Sequence, residues 1–203
     1  MKSVVALISG GIDSPVAAYM VGRLGYKIIP VYFDNSPFAS EKNVKKAKKC
    51  VSVLKKHIDI DDLRVIPNGK NLLEISKKCE RKYTCILCRR MMFRIAEELC
   101  KELNAESIVT GEFLGSKASQ TLQNLQVVSQ SVDIPIIRPL LGMDKEEIVG
   151  IGREIGTFGK EFSPAGCCDI VPDKPSTKAR LERILEEEEK IIPFSTAHNL
   201  EDI

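Results

Sequence analysis

The chain alternates short β-branched, apolar runs with longer segments in which apolar residues recur every three or four positions. The short runs predict buried strands and the longer segments amphipathic helices; their alternation marks parallel strands joined by crossover helices. Strands are expected from Ser3 to Ile8 (SVVALI), Lys27 to Phe33 (KIIPVYF), Leu63 to Ile66, Glu106 to Gly111 and Ile134 to Pro139. Helices are expected from Ser14 to a stop at Gly25, from Glu41 to His57, and over 88–103, 119–130 and 144–155. In the second of these, Val44, Ala47, Val51 and Leu54 share one face and lysines fill the other. After Gly159 the texture turns to SPAGCCDIVPDKPST, a turn-rich loop, then a charged helix to about Lys190 and a short tail. There is no internal repeat, and Glu186 to Glu189 is the one low-complexity tract. The pattern predicts one α/β domain over 1–203, an open parallel five-stranded Rossmann-like sheet with helices on both faces.

Composition narrows the class. A chain of 203 residues, 43% hydrophobic, is long enough to bury a core. Thirty Lys and Arg against 28 Asp and Glu leave a formal charge of +2, so any nucleic-acid surface has to be a local patch. The apolar run before the first glycines is too short for a signal-peptide core, and no stretch approaches the roughly 18 apolar residues of a membrane span. A cytoplasmic protein with no membrane contact is expected, and its seven cysteines read as thiols, metal ligands or nucleophiles rather than a disulfide framework.

Candidate chemistry begins at ISGGIDS, residues 8–14. A strand followed by Ser9, Gly10, Gly11, Ile12, Asp13 and Ser14, with a helix starting near Pro15, gathers backbone N–H groups around an anion. The two serine hydroxyls can donate to phosphate oxygens. A Walker loop would require a lysine before its hydroxyl residue, and none is present, so γ-phosphoryl transfer of that type is not indicated. Asp13 instead points to Mg2+ holding a departing diphosphate. A tight Gly-Gly turn without ligand is the plain alternative.

SGGIDS after a first strand resembles the loop of the PP-loop ATP pyrophosphatases, which cleave ATP between the α and β phosphates. Within that superfamily LISGGIDSPVA, CRRMMFRIA, TGEFLGSKASQTLQNL, RPLLGMDKEEIV and CCDIVPDKPSTKA, in this order, resemble the tRNA 4-thiouridine synthetases. The resemblance covers most of the chain. It implies that Leu7 and Ile8, with Tyr32 and Phe33, line an adenosine pocket, for which ordinary strand core is the alternative. It also implies that Gly111 and Gln120 contact the nucleotide, with Glu112 and Ser119 beside them, and that Arg90 contacts ATP. Arg89, one step away in register, is the alternative to Arg90.

Cys85 and Cys88 form a CxxC at the opening of a helix, where such a pair chelates a metal or lowers a thiol pKa. By the same resemblance Cys168 falls on the family's essential, catalytic cysteine. Members without a rhodanese-like domain carry the CxxC, and their three cysteines hold an iron–sulfur cluster. A [4Fe-4S] or [3Fe-4S] cluster on Cys85, Cys88 and Cys168 is therefore expected. A Zn2+ site completed by Cys167, a redox dithiol and unligated thiols are the alternatives. Cys50 and Cys100 lie within amphipathic helices and read as core, and Cys79 is unassigned.

Basic residues cluster at Lys42, Lys45, Lys46, Lys48, Lys49, Lys55 and Lys56, and again at Lys77, Lys78, Arg81, Lys82, Arg89, Arg90 and Arg94. Either cluster could follow a phosphate backbone, the second being nearer the CxxC; a solvated helix face is the alternative. His57 and His198 sit at a helix end and in the tail, and neither reads as a general base. Family members typically carry an RNA-binding region with a THUMP domain ahead of the first strand. Its absence implies that a separate protein presents the RNA, or that the substrate differs, and a homodimer is expected. The function implied is an ATP-dependent transferase that adenylates a uridine carbonyl oxygen in tRNA, releases diphosphate and installs sulfur from sulfide or a donor protein, giving 4-thiouridine. The alternatives are thiolation or amidation of another base or small molecule, and a nucleotide-binding or Fe–S subunit that needs a partner.

Overall fold

Five strands, all parallel, form one sheet in the order β3-β2-β1-β4-β5 in a computed structural model that describes residues 2–115, 117–159, 162 and 168–191. They are β1 (Ser3–Leu7), β2 (Lys27–Asp34), β3 (Arg64–Pro67), β4 (Ile108–Val109) and β5 (Ile136–Ile137). The five helices expected between and after the strands are present as α1 (Asp13–Gly22), α2 (Lys42–Leu54), α4 (Thr84–Leu103), α5 (Leu122–Ser129) and α6 (Lys145–Glu154), and the charged helix as α7 (Leu181–Glu189). No helix among the described residues is long and apolar enough to cross a membrane.

Alternation along β1 divides the core. Val4 and Ala6 face α1, α2 and α6, whereas Val5 faces α3 (Gly69–Lys78), α4, α5 and α7. Both faces are thus covered by helices, the arrangement that an all-parallel sheet demands. Cys50 and Cys100 are buried in these two layers. Gly25, at φ +89°, ends the first helical run as the sequence predicts.

Three details depart from the sequence reading. α3 (Gly69–Lys78) was unforeseen; it buries Leu72 and Ile75 against α4. Its sequence, GKNLLEISKK, offers few apolar anchors and opens on a glycine, so periodicity alone does not reveal it. The stretch predicted as one helix over 119–130 is split at Thr121, whose extended backbone and side-chain bond from Asn124 N cap α5 after a short 3-10 turn. β4 and β5 shrink to two residues each, because only Ile108, Val109, Ile136 and Ile137 find ladder partners.

The sheet reverses direction of growth between β1 and β4: β2 and β3 lie on one side of β1 and β4 and β5 on the other. A crevice at the carboxyl ends of β1 and β4 is where such sheets bind ligands.

Candidate active site

The loop that leaves β1 is built from its own hydroxyls. Ser14 Oγ accepts from Ser9 N at 2.7 Å, the two serine hydroxyls lie 2.9 Å apart, and Ser9 Oγ accepts from Gly11 N at 3.3 Å. Ile12, the residue before α1, supplies no side-chain acceptor to the helix, so the first-turn N–H groups remain for an anion. Gly111, just past β4, packs directly on this loop. A Cβ there would lie 2.5 Å from Ser14 N and 2.6 Å from Asp13 C, so only glycine lets the backbones approach this closely.

A cation missing from the loop comes from elsewhere. Lys145 Nζ donates to Asp13 Oδ1 at 2.6 Å and sits 5.2 Å from the centre of the Phe113 ring. Lys145 is the first residue of α6, fixed by the Asp144–Glu147 capping box. This lysine lies within RPLLGMDKEEIV, and its signal in the sequence is a cation at the start of a capped helix inside a family motif.

Above the loop lies a cavity of about 200 Å³, lined on the β1 and β2 side by Leu7, Ile8, Ser9, Asp13, Ser14 and Phe33. Gly111, Glu112, Lys117 and Gln120 line it from β4 onward. Gln120 Oε1 accepts from Phe113 N at 3.1 Å, which holds this second wall. Tyr32 and Gly10 belong to an adjoining cavity of about 280 Å³. Burial, then the Asp34 charge, pushes the Tyr32 phenol up to about 12.

Arg89 lines both cavities and its guanidinium donates to Glu112, a carboxylate only 4% exposed. Glu112 also accepts from Arg138 Nε at 2.6 Å and from Thr110 Oγ1 at 3.0 Å. Burial would raise its pKa, but Arg89 and Arg138 outweigh that and hold the carboxyl below the usual range.

Arg90 departs from expectation. Its side chain is 1% exposed and points into the core. It donates to both Glu188 carboxylate oxygens, at 2.8 and 3.0 Å, and to the Val127 carbonyl. Successive helix residues are rotated by about 100°, since 3.6 residues complete a turn. Arg89 therefore faces the cleft where Arg90 ties α4 to α7 and α5, so of the two arginines Arg89 is the one that lines the cavities.

Cys85, Cys88 and Cys168 all line the second cavity. The first two lie in the opening turns of α4. Cys168 is carried by a loop that Asp169 anchors through its N–H to the Phe38 carbonyl at 2.8 Å. Cys167 lies outside the described residues. Among the described residues no three His, Cys, Asp or Glu side chains form a group able to hold one metal ion. Cys88 is pushed up to about 12, first by burial and then by its neighbour Cys168. The three thiols thus share one cavity wall without converging on a single point.

The basic cluster near the CxxC is largely neutralised by neighbours. Lys78 pairs with Glu74 at 2.7 Å, Lys82 with Glu80 at 2.6 Å, and Arg94 with Glu188 at 2.9 Å. On α2, Lys42, Lys45 and Lys48 point outward from a helix whose other face buries Ala47, Cys50, Val51 and Leu54. His57 lies after α2 with its ring 6.0 Å from that of Tyr19 and lines neither cavity, and His198 lies outside the described residues.

The chain is 43% identical over 191 residues to the probable tRNA sulfurtransferase of Methanosarcina acetivorans, covering 93% of this chain and 46% of that protein. It is 43% identical over 187 residues to the probable tRNA sulfurtransferase of Caldanaerobacter subterraneus, covering 91% and 49%. The chain thus spans about half the length of the curated relatives it matches. Among solved structures, a 4-thiouridine synthetase in complex with RNA and bound ATP superposes with a TM-score of 0.87 at 37% identity, over 94% of this chain and 50% of that one. The U34-tRNA thiolase NcsA from Methanococcus maripaludis, at 15% identity and TM-score 0.52 over 98% of this chain and 68% of that one, shares the fold. The family model described as thiamine biosynthesis protein (ThiI) matches residues 1–192, and the chain belongs to the ThiI family.

Proposed function

We propose that this chain is the ATP-using catalytic part of a tRNA sulfurtransferase that converts uridine to 4-thiouridine. One observation carries the reading. The glycine-loop cavity and the cysteine cavity share a wall made of Ile8, Ser9, Phe33, Arg89, Met92 and Lys117, so an oxygen activated in one lies beside the thiols of the other. The likeness to tRNA sulfurtransferases and to a synthetase solved with RNA and ATP supports the substrate pair.

In this reading the adenosine rests on Leu7, Ile8, Tyr32 and Phe33, with Gly111 and Gln120 opposite. The β and γ phosphates meet the loop N–H groups and the Ser9 and Ser14 hydroxyls. Lys145 turns from Asp13 to the triphosphate, and Asp13 is then available to hold Mg2+, which supplies charge neutralisation to the departing diphosphate. Arg89 faces the α phosphate from the opposite wall. The uridine O4 attacks the α phosphorus, the bond to the β phosphate breaks, and diphosphate leaves. Hydrosulfide, the proposed donor, then forms a C–S bond at C4 while the C–O bond breaks and AMP leaves with the electron pair. Cys85, Cys88 and Cys168 would hold an iron–sulfur cluster, which when bound supplies Lewis acidity toward sulfide. Thiols spread over a cavity wall suit a polynuclear cluster better than a single zinc, which needs ligands converging on one point.

The test is anaerobic purification with iron and sulfide analysis, followed by incubation with tRNA, sulfide and ATP. Diphosphate release that requires tRNA, with 4-thiouridine in the digested RNA, is the expected result. Diphosphate release indifferent to RNA would overturn the substrate. Full thiolation by an iron-free protein would overturn the cluster.

A further inference from the structure

Asn68 precedes α3 at the position where an asparagine side chain ordinarily accepts a hydrogen bond from first-turn N–H groups. Its side chain makes no such bond. It is fully buried, and Nδ2 donates instead to Asn35 Oδ1 at 2.6 Å and to Cys88 Sγ at 3.7 Å. Oδ1 accepts from Asn71 Nδ2 at 3.5 Å. The nitrogen end of the amide is thus the end turned toward Asn35 and Cys88, and the oxygen end toward Asn71. The backbone is held on both sides as well: Asn68 N donates to the Asp34 carbonyl at 2.7 Å, and its own carbonyl accepts from Leu72 N at 3.0 Å. Asn35 lines the cysteine cavity beside Cys88. An amide bound to the end of β2, to α3 and to a thiol on α4 is oriented before any ligand arrives.

We infer that Asn68 is a positioning residue for the cysteine site: its N–H···S bond to Cys88 orients that sulfur as a cluster ligand, slows loss of the cluster and raises its reduction potential. The inference rests on the reading that Cys85, Cys88 and Cys168 hold an iron–sulfur cluster. Hydrogen bonds to ligating sulfur favour the more negative, reduced state, and partners of metal ligands commonly govern about 10- to 100-fold of affinity. Helix capping is the competing role, and the two roles respond differently to substitution. Serine is a good cap, but its hydroxyl, one atom shorter, does not reach Cys88.

Wild type, Asn68→Ser and Asn68→Ala are reconstituted anaerobically, and iron content, release of iron to a chelator and the reduction potential are measured. Wild type is expected to hold iron, while Asn68→Ser loses it about ten-fold faster and its potential moves to more negative values. Iron held equally well by all three proteins at one potential overturns the role of Asn68 alone. Failure of wild type to take up iron removes the cluster and this inference with it. A measurement on wild type needs no variant to fold: with 15N in asparagine side-chain amides, pulsed EPR of the reduced cluster should detect coupling to that nitrogen. Absence of coupling overturns the inference.

Discussion

Lys145 Nζ lies 2.6 Å from Asp13 Oδ1 although 132 residues separate them in the chain. The cation that a Walker loop carries within its own sequence is here delivered by the first turn of α6. Lys145→Met should leave the fold intact, because the pair is half-exposed and such pairs contribute at most about 1 kcal/mol. Diphosphate release should nonetheless fall by about two orders of magnitude, the scale on which loss of one charge-stabilising donor acts. Thermal unfolding beside a diphosphate assay separates the two effects.

Gly111→Ala should distort the loop, since its Cβ would meet backbone atoms of Asp13 and Ser14 that cannot swing aside. A stability loss of about 1–3 kcal/mol, with ATP binding abolished, is expected in denaturant titration and calorimetry. Gly150→Ala, in α6 with nothing within 4 Å, is the control and should gain about 0.5–1 kcal/mol.

Arg89 and Arg90 should separate binding from folding. Arg90→Met leaves Glu188 buried with Arg94 as its remaining cation and should cost about 3 kcal/mol in stability. Arg89→Met leaves Glu112 paired with Arg138 and, because Arg89 is the more exposed arginine, should cost less stability than Arg90→Met, while it weakens ATP binding ten-fold or more. Equal loss of stability in both variants would contradict this division of roles.

Acid should unlock α7. Burial would raise the Glu188 pKa, but hydrogen bonds and charge from Arg90 and Arg94 hold it below the ordinary glutamate value of about 4.3. A carboxylate depressed in the folded state stabilises fully above its unfolded pKa and loses that contribution as pH falls through the folded one. The unfolding midpoint should therefore drop below about pH 4, and less steeply in Glu188→Gln.

Cys168→Ser should divide the reaction into its halves. Diphosphate release with tRNA should persist near the wild-type rate, because no glycine-loop group is touched, while 4-thiouridine falls to background. Retained thiolation would remove Cys168 from the chemistry.

Much of this was legible in the sequence. The first strand and the glycine loop follow from Val4 to Leu7 preceding two glycines, a local pattern, whereas the strand order is set by which strands pair. Arg89 could not be told from Arg90 by motif, because facing is decided by where Glu188 docks, 98 residues downstream. Lys145 lies within the RPLLGMDKEEIV motif, yet its partner is set by tertiary packing. Asn68 reads as an ordinary cap in sequence, and only the position of Cys88 across the helix pair reveals otherwise.

Phe33, Arg89 and Met92 stand in the partition between the two cavities. In the proposed reaction the entering atom and the leaving group would have separate berths on either side of that one wall. A single base lodged at its edge would be activated and then substituted without changing place, so a handover between distant sites would become an exchange at one fixed carbon.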